Sequence, residues 1–131
     1  MADVAKFDLT KGAGYDILDT TTEIVAAAAA MTIDYTASKR VLLYVKNADA
    51  AVDVYVTFKA PITNITGGIK REQGDYIVEV PLGDQAVFDL SETARYLNLT
   101  DKDIDVQFND SEGTAVIAGV LSDITVFAIN L

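Results

Sequence analysis

The 131-residue chain is 50% hydrophobic and 23% charged, lacks cysteine and histidine, and carries 20 acidic against 10 basic residues for a formal charge of −10. This composition excludes a disordered tail, a disulfide scaffold, thiolate metal sites and the usual nucleophile–base pairings built on Cys or His, so no catalytic residue is nominated and an enzyme is not expected. The acidic balance repels a phosphate backbone, which argues against nucleic acid as a partner.

At this length one domain suffices, since a chain of such size buries roughly two-thirds of the surface its unfolded form exposes. Residues 1–22 are polar and glycine-bearing, with Gly12 and Gly14 around Ala13, and read as an extended N-terminal arm outside a single domain at 23–131. MADVAKFDLTKG lacks the apolar core of a secretory signal, and the longest apolar run, Ile24 to Met31, falls short of the ~20 residues of a spanning helix. Neither export nor a membrane partner is expected.

The run EIVAAAAAMTIDY at 23–35 sets propensity against context. Alanine is the best helix former, but the run has no clean amphipathic stripe and no cap at its end. Its flanks, Ile24, Val25, Thr32, Ile33 and Tyr35, favour an extended segment over a helix. Next, VLLYVKNADAAVDVYVTFKAP at 41–61 reads as two strands of a hairpin about the turn NADAA, where Asn and Asp side chains cap the backbone. Val41 to Val45 are apolar on both faces, so something must cover the second face, either this chain or a neighbour. In DVYVTFK, Val54, Val56 and Phe58 alternate with Asp53, Tyr55, Thr57 and Lys59, which predicts a half-buried strand with Tyr55 on its polar face.

PITNITGGIKREQGD at 61–75 is a loop-rich excursion, and YIVEVP resumes alternation before a proline that cannot donate to a central ladder. LGD turns the chain into the strand QAVFDL. SETARYLN at 91–98 is either a short helical turn, with Ser91 as a cap, or an irregular crossing. IDVQFND at 104–110 has one wet face, and TAVIAGVL at 114–121 and DITVFAIN at 123–130 complete the strands, the last two more buried. Recurrent strands between turn clusters have the spacing expected of an all-β sandwich or barrel.

Few motifs carry chemistry. Asp101, Asp103, Asp105 and Glu112 fall at positions 1, 3, 5 and 12 of an EF-hand-type loop, but Val106 stands where that loop needs glycine, and the alternation of Ile104, Val106 and Phe108 holds the backbone extended. They form a weak calcium candidate beside the reading of an acidic strand edge, which discourages aggregation. GGIKR at 67–71 lacks the upstream glycine and the following Ser or Thr of a phosphate loop. The acceptors Asn64-Ile65-Thr66 and Asn98-Leu99-Thr100 are discounted without an export signal. No cofactor is implied.

Taken in order, TIDYTASKRVLLYVKNADAAVDVYVTFKA, GDYIVEVPLGDQAVFDLSETARYLN, IDVQF and DITVFAINL resemble the small β-sandwich structural proteins of tailed bacteriophages and prophages, among them capsid decoration proteins. The resemblance spans roughly residues 31–131. It implies an all-β fold, an immunoglobulin-like or related Greek-key β-sandwich, here with an extended N-terminal arm, and a viral structural protein on the outer capsid surface of the virion, made in the host cytoplasm, whose partners are the phage major capsid protein and copies of itself. The arm has no counterpart in that resemblance; its apolar residues Phe7, Leu9, Tyr15, Ile17 and Leu18 are inferred to be anchors that order on the capsid, and Tyr55, on the polar face of its strand, is an exposed contact. The alternatives are another virion module, such as a tail-tube, baseplate or head-fibre component, and a carbohydrate- or calcium-binding adhesion module.

Overall fold

A computed structural model of the chain describes residues 2–8, 24–35, 40–60, 65–66, 69–70, 75–90, 97–98 and 101–130. Its long strands coincide with the alternating segments, because each such segment can bury one face only by joining a sheet. They are β1 (Ala2–Asp3), β2 (Lys6–Asp8), β3 (Ala30–Asp34), β4 (Val41–Asn47), β5 (Val54–Phe58), β6 (Ile65–Thr66), β7 (Ile69–Lys70), β8 (Tyr76–Val80), β9 (Gln85–Asp89), β10 (Leu97–Asn98), β11 (Asp103–Asn109) and β12 (Ile124–Asn130). One sheet has the order β1-β3-β11-β5-β8, with β10 also on β11, and the other has the order β2-β12-β4-β9; β6 and β7 pair as a small ribbon.

The two larger sheets pack face to face as an all-β sandwich. Val54, Val56 and Phe58 of β5 and Ile104, Val106 and Phe108 of β11 meet Val41, Leu43 and Val45 of β4 and Ile124, Val126 and Ala128 of β12 in one core. Phe58 lies edge-on to Phe88 of the opposite sheet at 5.1 Å, which fastens the layers with the geometry aromatic pairs prefer.

The strand order is where the sequence reading needs correction. β4 and β5 do not form a hairpin: β4 pairs with β12 and β9, while β5 pairs with β11 and β8. Residues 48–53 therefore carry the chain from one sheet to the other as an arch, and residues 81–84 do the same between β8 and β9. Among the longer strands, taken in chain order, the first, sixth, third and fourth share one sheet, and the seventh, second and fifth share the other. An immunoglobulin domain instead groups its first, second, fifth and fourth strands against its third, sixth and seventh. Periodicity reports which face of a strand is buried and is blind to which sheet the strand joins.

The arm expected outside the sandwich is also corrected for the residues described. Ala2–Asp3 run parallel to β3, and Lys6–Asp8 run parallel to β12. Phe7, Ile24 and Phe127 form a second apolar cluster on the outer face of the β4 sheet, joined by Tyr44, which stacks on Phe127 at 4.9 Å. The cover demanded by the two-sided apolar pattern of β4 thus comes from this chain.

The alanine run is not helical: it bends at Ala28–Ala29, and only Ala30 belongs to a strand. Val25 bridges Thr125, and the chain then enters β3. TAVIAGVL is not a strand: Ala115 bridges Asn109, after which Ala118–Leu121 form a short helix, α1. Only Val116 and Val120 of this segment are buried, a spacing of four that suits a helical turn, and Ile117 is left 73% exposed. Of SETARYLN, Leu97–Asn98 pair with β11, and residues 91–96 lie outside the described residues.

Candidate docking edge and groove

The residues singled out in the sequence do not converge. Phe7 is 8% exposed and lies edge-on to Phe127 at 6.0 Å, so it anchors its own sheet and is unavailable as a capsid anchor. Leu9, Tyr15, Ile17 and Leu18 lie outside the described residues. Asp103 and Asp105 sit on the outer face of β11 with Asp101 just before it, while Glu112 lies in the turn beyond the opposite end. At about 3.3 Å per residue, the extended strand separates Glu112 from the aspartates by far more than a coordination shell. Among the described residues, no three His, Cys, Asp or Glu side chains could hold a metal ion together.

The aspartates have a different consequence. Asp103 is directly opposite Asp34 in the β3–β11 ladder, an arrangement that destabilises a sheet. Burial, then the charges of Asp105, Asp101, Asp3 and Asp34, push the Asp103 carboxyl above its ordinary value. Because the folded state holds this proton more tightly, the cost of ionisation is fully present above the raised value and is relieved as pH falls below the ordinary carboxylate range. Asp103→Asn is therefore expected to stabilise the protein at neutral pH by about 0.2–1 kcal/mol. Thermal unfolding at low salt should show the gain, shrinking toward zero in acid; a loss of stability at neutral pH would refute it.

At the opposite end of the sandwich, Asp49 caps the first arch by accepting from Ala51 and Val52 N–H groups, which hold its carboxyl below the ordinary value. Neighbouring Asp123 is raised, chiefly through its hydrogen bond with Asp49. Tyr35 donates to the Leu90 carbonyl at 3.1 Å, and burial pushes its hydroxyl upward. These groups tie loops to strands.

Two surfaces stand out. The first is the arch β8–turn–β9, which carries four of the five exposed large apolar side chains among the described residues: Tyr76 at 40%, Ile77 at 58%, Leu82 at 46% and Val87 at 63%. Both legs are terminal strands of their sheets. Gly83, at φ +80, takes the left-handed conformation that the tight turn requires, and Asp84 N donates back to the Pro81 carbonyl. An edge strand with unpaired main-chain groups and exposed apolar side chains is a template for association.

The second is an open groove of about 270 Å³ on the outer face of the β5 sheet. β5 supplies Tyr55 and Thr57 to its floor, Lys59 follows just beyond that strand, and β11 supplies Gln107 and Asn109, because Gln107 is opposite Thr57 and Asn109 opposite Tyr55 in the ladder. Ile77 of β8 and the turn at Asp110 form its sides. Asn109 donates to the Thr57 hydroxyl at 3.2 Å, and Lys59 pairs with Asp75 at 2.7 Å. Tyr55 thus lines a partly buried groove instead of standing clear of its strand. The alternation of both strands was readable, but their adjacency was not. Ile77, Leu82 and Val87 escaped the reading because a lone apolar residue facing solvent has no periodic signature.

No helix among the described residues is long and apolar enough to cross a membrane. No protein-family model, curated protein or solved structure matches this chain.

Proposed function

We propose that the protein is a structural component of a tailed-phage virion, a decoration protein that docks on the outer surface of the assembled major capsid protein lattice. The observation that carries this reading is the β8–β9 arch, an edge of both sheets of an acidic sandwich, with Leu82 exposed at its turn, Tyr76 and Ile77 exposed on one leg and Val87 on the other. The ordered resemblance over residues 31–131 supports the same assignment. An edge of this kind provides main-chain pairing and apolar anchors together, the means by which strand addition binds a partner. The net charge of −10 suits an exterior location away from packaged nucleic acid. Many modest contacts repeated over a lattice then make a firm coat.

The test is sedimentation of the purified protein with phage heads assembled without it. Retention should saturate at a fixed number of copies per head. Val87→Asp and Leu82→Asp place charge on side chains already facing solvent, so both variants should fold and bind about tenfold more weakly, a loss of ~1.4 kcal/mol. Absence of retention by the unaltered protein would defeat the reading; undiminished binding by both variants would move the contact off this arch.

A further inference from the structure

We propose that the groove on the outer face of the β5 sheet binds a neutral saccharide. Its composition is divided as a sugar ring is divided. Tyr55 and Ile77 offer an apolar surface for the C–H face of a pyranose, while Gln107, Asn109, Lys59 and Asp110 ring that surface with donors and acceptors for hydroxyl groups. The volume of about 270 Å³ is at the lower end of ligand pockets, a size suited to one ring of a longer chain that leaves through the open side.

The groove is also prepared for hydroxyls in a particular way. Thr57, at its floor, is buried and already accepts from Asn109, which orients that amide. Among the described residues, the Gln107 amide and the Tyr55 hydroxyl make no side-chain hydrogen bond, so their polar atoms are available to an incoming group. Site-built polar groups that pair only with the ligand are the source of selectivity for hydroxyl-bearing molecules.

Other ligand classes fit worse. An anion would meet a lysine already paired with Asp75 on a strongly acidic protein. A cation would find Asp75 engaged by Lys59 and by the Ala60 N–H, and Asp110 accepting from the Glu112 and Thr114 N–H groups. An apolar ligand would strand the amides without partners.

The groove shares Ile77 with the docking arch, but the two readings are tested at different residues. Val87 and Leu82, which test the docking edge, do not line the groove. Amide NMR spectra of the labelled protein titrated with the methyl glycosides of glucose, galactose, mannose and N-acetylglucosamine, with inorganic phosphate and sialic acid as anionic comparators, would decide it. At least one neutral glycoside should shift resonances of β5 and β11 around Tyr55, Thr57 and Gln107, and the anions should not. Gln107→Ala should weaken that binding about tenfold, whereas Val87→Asp should leave it unchanged. Should the alanine variant fail to fold, Gln107→Glu keeps the side-chain length and replaces the amide donor with a carboxylate, and should weaken binding likewise. No shift with any neutral glycoside, a response to the anions alone, or full binding retained after folded Gln107 variants are tested would overturn the proposal.

Discussion

Phe58→Ala is expected to remove about 3–5 kcal/mol of folding free energy, much of what a domain of this size possesses. Phe58 is fully buried on β5, a strand flanked by β11 and β8, so the surrounding ladders cannot close over the missing ring. The ring spans the two sheets, edge-on to Phe88 at 5.1 Å, and stacks beside Tyr76 at 6.1 Å. Removing it costs the transfer of an aromatic side chain, the cavity left behind and the aromatic contacts. Urea unfolding should show a lower midpoint with an unchanged slope. Phe58→Leu, which retains most of the volume, should cost far less. A loss below about 1 kcal/mol for the alanine variant would contradict the placement of Phe58 in the inter-sheet core.

Asn47→Leu is expected to cost about 2–4 kcal/mol even though it adds an apolar side chain to a buried site. Asn47 is fully buried at the end of β4. Its amide donates to the carbonyls of Val52 at 2.8 Å and Val80 at 3.1 Å, and its side-chain oxygen accepts from Asp49 N at 3.0 Å. Its main chain donates to the Asp84 carbonyl and accepts from Gly83 N. One residue thus laces both arches together. Leucine fills the volume but leaves two carbonyl oxygens without a donor in a water-poor site.

Asn47→Asp sharpens this test. Its ionised carboxylate has no donor for either carbonyl, and burial raises its folded-state pKa, so the variant's deficit should be greatest at neutral pH and should lessen as pH falls and the carboxyl regains a proton. Unfolding midpoints measured against pH, relative to the unaltered protein, would show this. A deficit that grows in acid would rule out the assigned hydrogen bonds.

Asn47 also marks the limit of what could be read along the chain. NADAA was recognisable as a turn, and Asp49 does cap it through the Ala51 and Val52 N–H groups. Those bonds are local and follow from residue type. The bond from Asn47 to Val80 spans 33 positions, and nothing in NADAA announces it. The groove repeats the pattern. Tyr55, Thr57 and Lys59 belong visibly to one polar face, as do Gln107 and Asn109, but the site exists only because β5 lies against β11.

The sequence by itself determined which faces of β4, β5 and β11 are buried. Alternation at β5 and β11 and the two-sided apolar run at β4 dictate which side chains leave water, because the strand repeat of two is a property of the backbone. It likewise determined that the protein carries a strong acidic excess. Only the tertiary structure decided the rest: that the chain crosses between sheets at residues 48–53 and 81–84, that residues 2–8 add to both sheets, and that β8 and β9 are edge strands with Ile77 and Val87 exposed. Sheet membership depends on which distant strand has a matching edge and face, and that complementarity is a property of pairs of segments, which no single segment displays.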